Sequence, residues 1–116
     1  MNKLWRVGLF AKDYTYLDEV YEFTNKLIED KDEEIEEIRK WVQGFEIITD
    51  KSLYKFIVVS EGIRGYRWHE AYVFDSWLID SESIDGLILA KIVPYDMWNR
   101  DIQWDYRKYV HYMERN

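Results

Sequence analysis

Hydrophobic and polar positions before Gly44 predict a strand followed by a long helix. The segment from Leu4 to Ala11 is short, apolar and aromatic, as buried strands are. Asp13 and Thr15 favour a helix start, and apolar positions at helical spacing follow them. This stripe consists of Leu17, Val20, Tyr21, Thr24, Leu27, Ile28, Ile35, Ile38 and Val42. Because Gly44 stands where a C-terminal cap is expected, we predict one helix of about 28 residues, with a break near Asp30 to Asp32 as the alternative.

After Gly44 the pattern changes to that of strands. Three segments are rich in β-branched and aromatic residues: Phe45 to Thr49, Leu53 to Ser60, and Trp68 to Leu78. The Asp85-Gly86 pair favours a type I′ hairpin turn. We therefore expect a further strand from Leu87 to Val93, which Pro94 ends.

The last segment, from Tyr95 to about Arg115, returns to helical spacing. Its apolar stripe consists of Tyr95, Trp98, Ile102, Tyr106, Tyr109 and Met113. The order β-α-β-β-β-β-α predicts the α+β class, with a largely antiparallel sheet of four to five strands, one long acidic helix and a C-terminal helix. A chain of 116 residues suffices for one such core and is too short for a second, so residues 1–116 are expected to form a single domain.

Composition excludes several functional classes. The chain is 47% hydrophobic and 18% aromatic, which indicates a globular protein rather than a disordered one. It has no cysteine, so disulfides, thiolate zinc sites and cysteine nucleophiles are ruled out. The net charge of −7 disfavours a general coating of nucleic acid. No segment has the pattern of a secretory signal or a membrane span, so we expect a cytoplasmic protein without a membrane partner.

The acidic residues are concentrated in one part of the chain. Seven of the nine positions from Glu29 to Glu37 are acidic. On the predicted long helix, the residues that project opposite the apolar stripe are Asp18, Glu19, Glu22, Glu29, Asp30, Glu33, Glu36 and Glu37. Each i,i+4 pair of like charge costs roughly 0.2–0.5 kcal/mol. This face is either a solvated surface or a binding surface for a basic groove, since its linear charge density is comparable to that of duplex DNA. A basic protein or a cation as partner is a third option. The predicted partner-binding residues are Glu22, Glu29, Asp30, Glu33, Glu36 and Glu37.

A second candidate surface is basic and aromatic. The loop from Glu61 to Trp68 combines two glycines with arginines and rings, which would suit a clamp on a phosphate, a carboxylate or a base. One side of the predicted C-terminal helix is basic as well. The secondary binding candidates are Arg64, Tyr66, Arg67, Trp68, Arg100, Trp104, Arg107 and Lys108. The simpler interpretations are a glycine hairpin whose arginines pair with the acidic helix, and a Trp104 that packs in the core.

Catalytic and metal-binding patterns are sparse. The five glycines form no phosphate-binding loop. The strand from Ala71 to Asp75 resembles the magnesium-holding strand of P-loop ATPases, but a core strand ending at the surface explains it better. Four side chains could hold a divalent ion only if the fold brought them together: His69, Glu70, Asp75 and Asp80. We therefore assign no catalytic residue, metal or cofactor, and a small metal-dependent hydrolase is a minor alternative.

In size, acidity and lack of catalytic motifs, the chain resembles small acidic phage- or prophage-encoded host-interaction proteins of the anti-CRISPR or anti-restriction type. The resemblance is one of composition and carries no residue assignments. It implies an inhibitor that occupies a basic groove of a nucleic-acid-processing or defence enzyme in the host cytoplasm. The alternative is a nucleic-acid-binding accessory module that uses the Arg64 to Trp68 loop and the basic C-terminal helix. Self-association of the acidic helix with the basic helix of a second copy is a further option.

Overall fold

A computed structural model describes residues 4–59, 67–93 and 105–114, which form one six-stranded sheet with helical segments on both faces. The strands are β1 (Trp5–Ala11), β2 (Ile35–Trp41), β3 (Gly44–Thr49), β4 (Ser52–Val58), β5 (Glu70–Phe74) and β6 (Val110–Met113). Their order across the sheet is β2-β3-β4-β1-β5-β6. The β2–β3 and β3–β4 pairs are antiparallel, whereas β4–β1, β1–β5 and β5–β6 are parallel. The mixed α+β class is confirmed, but the sheet is mixed rather than largely antiparallel and has more strands than expected.

Helix α1 (Leu17–Asp30) covers one face of the sheet, which we call the helix face. A 3₁₀ turn at Tyr14–Tyr16 leads into it, and the Asp13 carboxylate accepts a hydrogen bond from the Thr15 amide. The buried stripe of α1 consists of Val20, Thr24 and Ile28, at the spacing that places side chains on one helix face. The predicted helix start and the first part of the predicted stripe are therefore confirmed.

The prediction of a single long helix is wrong, and the alternative prediction of a break near Asp30 to Asp32 is confirmed. Asp32 has a φ of 56°, in the left-handed region, just beyond the helix. The Asp32 amide donates to the Glu29 carbonyl at 3.0 Å, and the Glu33 amide donates to the Ile28 carbonyl at 3.1 Å. These two bonds form a Schellman motif, which satisfies the last carbonyls and turns the chain away. Aspartate tolerates this conformation better than most residues, so no glycine marks the helix end in the sequence.

Residues after the break form β2 because β3 offers them a partner. Ile38 lies opposite Ile47, and Trp41 lies opposite Gly44, in an antiparallel ladder with a register shift between Ile35 and Glu37. The apolar positions of this segment fit both a helical stripe and an edge strand, which is why the sequence pattern predicted helix. Every residue of β2 is exposed, and in the described part of the chain β2 is the terminal strand of the sheet, with β3 as its only strand partner.

The second face of the sheet is covered by a helical segment rather than by a hairpin. It consists of α2 (Ser81–Ser83), a π-helical turn (Ile84–Ile88) and a 3₁₀ turn (Leu89–Lys91). The predicted type I′ turn at Asp85-Gly86 and the strand from Leu87 to Val93 are therefore wrong. The apolar residues here are spaced for a helix, and Ile88 and Ile92 are buried against the sheet.

The predicted strand from Trp68 to Leu78 is only partly correct. Its central residues form β5, but Trp68 makes a single bridge with Ile92 instead of continuing the strand. At the other end Asp75 adopts a left-handed φ of 49°, and a 3₁₀ turn follows at Ser76–Leu78. The left-handed residue bends the backbone out of the ladder, which ends the strand.

The predicted C-terminal helix is wrong for residues 105–114, and its first part lies outside the described residues. The Asp105 carboxylate accepts a hydrogen bond from the Arg107 amide and caps a 3₁₀ turn at Tyr106–Tyr109. The chain then enters β6, where Tyr72 of β5 lies opposite His111. The parallel edge of β5 supplies a hydrogen-bonding partner that a local sequence pattern cannot reveal.

Two buried clusters hold the layers together. On the helix face, β1, β3, β4 and β5 pack against α1, and on the opposite face β1, β4, β5 and β6 pack around Trp68 and the 81–91 segment. Strand residues alternate between the two clusters, as the pleat requires. Within the described ranges, no helix combines the length and apolar character needed to cross a membrane.

Candidate functional site

The six predicted acidic residues do not share one helix face: five lie on two elements, and Glu33 lies in the connection between them. Glu22, Glu29 and Asp30 are exposed on α1, whereas Glu36 and Glu37 are exposed on β2. The prediction of a continuous acidic helix face is therefore wrong, because the Schellman motif ends the helix before Glu33, Glu36 and Glu37. The Arg39 guanidinium contacts the Glu37 carboxylate at 2.8 Å, so this charge is already paired.

Glu33 points into the protein and has a structural role. Its carboxylate accepts hydrogen bonds from the hydroxyls of Thr49 at 2.7 Å, Tyr54 at 3.0 Å and Ser52 at 3.2 Å. Burial raises the pKa of Tyr54, and the neighbouring Glu33 charge contributes in the same direction. These contacts tie the end of α1 to the β3–β4 turn. Glu33 is half-buried and does not belong to an exposed binding face.

Acidic side chains from three segments surround the point where α1 leads into β2. The exposed or half-exposed members, which we call the acidic corner, are Glu29, Asp30, Asp32, Glu34, Glu36 and Asp50. The Glu34 amide donates to the Asp50 carboxylate at 2.9 Å, which brings the β3–β4 turn to the corner. Glu29 and Asp32, with the inward-facing Glu33, line a hollow of about 460 Å³. The tertiary structure thus keeps the acidic residues together, although it does so on a corner rather than along a helix.

The acidic corner is electrostatically unfavourable for the fold. Glu29 and Asp30 lie in the last turn of α1, where the helix dipole is negative, and that turn contains no basic residue. In the described part of the chain, neither of them forms an ion pair. Acids at this position cost about 0.3–1 kcal/mol each relative to cations. Helix stability therefore does not account for them.

The basic candidates are only partly brought together. Arg64, Tyr66, Arg100 and Trp104 lie outside the described residues. Arg107 is exposed and pairs with Asp105 at 2.9 Å, beside the exposed Lys108. These two residues lie on a 3₁₀ turn, so the predicted basic helix face is wrong here.

Trp68 is not an exposed anchor. Its side chain is 1% exposed and its ring packs edge-on against Phe10, with the centroids 5.9 Å apart. Its backbone is held by Lys91 and Val93. Arg67 next to it is exposed, and with Arg6 and Lys55 it lines a hollow of about 230 Å³ on the opposite sheet face.

A buried carboxylate cluster that sequence reasoning missed lies under the C-terminal end of α1. The Glu70 carboxylate accepts hydrogen bonds from Trp5 Nε1 at 2.9 Å and His111 Nε2 at 2.6 Å. Lys31 Nζ and the Tyr72 hydroxyl each approach it at 3.4 Å. Alternation in β5 could have predicted that residues 70 and 72 share a face, but the other partners come from three different elements.

Glu70 is held in its ionised form by its neighbours. Burial alone would raise its pKa, but the Trp5 hydrogen bond, the Lys31 charge and the His111 contact together lower the pKa below its usual value. Burial and the Glu70 charge raise the pKa of Tyr72. Each carboxylate oxygen of Glu70 already has two hydrogen-bond donors within 3.4 Å. Glu70 therefore links Lys31, just after α1, with β1, β5 and β6, and it is poorly placed to act as a base.

The residues considered for a metal site do not converge. Glu70 and Asp75 lie at opposite ends of β5, roughly 16 Å apart at about 3.3 Å per residue. Asp75 is buried and accepts a hydrogen bond from the Tyr16 hydroxyl at 2.8 Å, whereas Asp80 is exposed. Within the described ranges, no group of three or more potential ligands is arranged to hold a metal ion.

Comparison with known proteins gives no assignment. No protein-family model matches the chain, and neither a curated protein nor a solved structure shows significant similarity to it. The function must therefore be inferred from the described surface itself.

Proposed function

We propose that this chain is a non-catalytic binding protein whose acidic corner docks on the basic, nucleic-acid-binding groove of a protein partner and inhibits it. The partner would be a nucleic-acid-processing or defence enzyme, as for the phage-type inhibitors that the chain resembles in composition. The two proteins would meet in the cytoplasm. No cofactor takes part in this function.

The observation that carries the proposal is the pair of acids in the last turn of α1. Glu29 and Asp30 are exposed, lie at the negative end of the helix dipole, and have no ion pair among the described residues. Asp32, Glu34 and Glu36 extend the same charge around the corner. A basic partner would relieve this repulsion on binding, and opposite potentials also accelerate association.

The test compares two charge-reversed variants of equal net charge. The first carries Glu29→Lys with Asp30→Lys, and the second carries Glu82→Lys with Asp85→Lys, at two exposed positions of the 81–91 segment. Wild type and both variants are immobilised and exposed to nuclease-treated bacterial lysate, and retained proteins are quantified by mass spectrometry. We expect wild type and the second variant to retain the same nucleic-acid-binding protein in equal amounts. The first variant should retain at least tenfold less of it, and added duplex DNA should displace it from wild type.

Misfolding would not explain this result. Lysines in the last turn of α1 favour the helix dipole, so the first variant should melt at or above the wild-type temperature. If both variants retain the same proteins as wild type, the acidic corner is only a solvated surface. If duplex DNA does not displace the retained protein, the groove it occupies is not a nucleic-acid-binding one.

A nucleic-acid-binding role remains the second candidate, and one observation favours it. Arg6, Lys55 and Arg67, which are distant in sequence, line one hollow on the opposite sheet face, although Glu46 lies among them. Phosphate contacts of this kind make binding strongly dependent on salt. Binding of labelled single-stranded or duplex DNA that weakens on Arg67→Ala, but not on the α1 charge reversal, would favour this function over inhibition.

A further inference from the structure

The strand β2 presents an uncovered sheet edge. It is the terminal strand of the sheet, and all seven of its residues are exposed. Among the described residues, no strand pairs with its outward backbone groups, and its large apolar side chains include Ile38 at 43% exposure and Trp41 at 47%. An edge of this kind pairs with another strand unless the sequence prevents it.

The charges of β2 are ordered so that the strand complements itself. Two acids, Glu36 and Glu37, precede Ile38, and two bases, Arg39 and Lys40, follow it. In an antiparallel pair centred on Ile38, Ile38 lies opposite its own copy and Glu37 lies opposite Arg39 of the second copy, twice by symmetry. Cross-strand pairs of opposite charge are stabilising, whereas like charges in that position are destabilising.

Alternative registers do not place the opposite charges of β2 across from one another in this way. Moving the centre by one residue places Glu37 opposite Glu37 or Arg39 opposite Arg39. A parallel pairing in register places every charge opposite its own kind. Edge strands that avoid association do so with charged side chains, above all lysines, with proline or with bulges, and none of these devices requires the two signs of charge to be separated. The segregation of the two signs about Ile38 therefore points to one specific register.

The side chains needed for this pairing are accessible on the right faces. Glu37 and Arg39 lie on the same sheet face, since their side chains contact each other at 2.8 Å, and Ile38 lies on the other face. Arg39 is also 3.8 Å from Glu46, and its side chain is 57% exposed. It can therefore reach across the edge without losing a buried contact.

We propose that two copies of this chain associate through antiparallel pairing of β2 about a two-fold axis at Ile38, forming one continuous sheet across the dimer. The register shift between Ile35 and Glu37 limits the regular pairing to the residues that follow it. Because the two-fold axis uses the same edge on both copies, the assembly closes at two chains instead of growing into a filament. An interface this short buries less than the ~1,200 Å² of a stable complex, so the dimer is weak and concentration-dependent.

The test reverses the charges of Glu37 and Arg39, one in each of two variants, and measures whether each variant dimerises alone and in a mixture. Sedimentation velocity in about 0.15 M salt, where the repulsion between two net-negative chains is screened, follows the mass from about 1 µM to about 500 µM. Wild type should shift from its 14.3 kDa monomer toward twice that mass. Glu37→Arg and Arg39→Glu should each remain monomeric alone, because each places like charges opposite one another twice. Mixed in equal amounts, the two variants should recover the dimer as a heterodimer.

The outcomes separate this pairing from the alternatives. If the dimer forms only when the two variants are mixed, the proposed register is supported. A variant that had failed to fold would not be rescued by a second misfolded variant. A wild type that stays monomeric throughout the range, or single variants that dimerise as wild type does, overturns the proposal. Glu22→Arg, an exposed charge change on α1, is the control and should leave dimerisation unchanged. Glu29 and Asp30 are not in β2, so the dimer and the proposed partner binding can fail independently.

Discussion

Replacing Glu70 by glutamine should destabilise the protein by removing the charge at the centre of the buried cluster. Glu70→Gln keeps the shape of the side chain, and its amide oxygen can still accept from one of the two closest donors, Trp5 or His111. Whichever of these two donors is not accepted loses its hydrogen bond to the charged carboxylate, and so does Lys31, which contacts it at 3.4 Å.

The expected loss follows from these contacts. A hydrogen bond to a charged group contributes about 1.5–3 kcal/mol, and the Lys31 contact adds little because a third of that side chain is exposed. We therefore expect the free energy of unfolding at pH 7 to fall by about 2–3 kcal/mol. For a domain of this size that corresponds to a lower melting temperature by roughly 6–15 °C.

The dependence on pH provides a second, sharper signature. Because the folded pKa of Glu70 lies below its ordinary value of 4.5, its stabilising contribution is complete above that value. The contribution is lost as the pH falls through the lowered folded pKa. The stability difference between wild type and Glu70→Gln should therefore be largest near neutral pH and should shrink below pH 4.5.

Urea unfolding followed by tryptophan fluorescence at several pH values measures both effects. Glu22→Gln removes an exposed carboxylate and serves as the control, with an expected change within about 0.5 kcal/mol. The reasoning is refuted if Glu70→Gln matches this control at pH 7. It is equally refuted if the difference from wild type is the same at every pH, because the loss would then come from packing and not from the charge.

Two further pairs of variants test the backbone. Asp32→Gly should raise the free energy of unfolding by about 0.5–1 kcal/mol and Asp32→Val should lower it by about 1–2 kcal/mol, because Asp32 occupies the left-handed region. Asp32→Asn separates this effect from the loss of charge, and similar melting temperatures for Gly and Val variants would contradict the helix end described here. Gly8→Ala should cost about 2–4 kcal/mol, since its Cβ would overlap the Phe10 ring and would lie 3.1 Å from the Trp68 ring. Gly86→Ala meets open space and should change stability by about 0–1 kcal/mol in the favourable direction, so equal urea midpoints for the two alanine variants would contradict the packing.

The candidate surfaces differ in how far the sequence could predict them. The concentration of acids between Glu29 and Glu37 is a property of the sequence, and the structure keeps most of them exposed. Which acid points inward could not be predicted, because Glu33 is drawn in by hydroxyls from β3 and β4, far from it along the chain. The Glu70 cluster was missed for the same reason, since its partners range from Trp5 to His111.

By itself the sequence determined the α+β class, the first strand, the start and buried stripe of α1, and the strand character of β3, β4 and part of β5. These features depend on periodicity within a few residues, which local side-chain patterns encode directly. Only the tertiary structure decided that Ile35 and Ile38 of the stripe belong to an edge strand, that residues 110–113 add a parallel strand, and that Asp85-Gly86 lies in a helical turn. In each case the local pattern allows two conformations. The chain adopts the one in which distant parts of the chain satisfy its backbone hydrogen bonds and bury its apolar side chains.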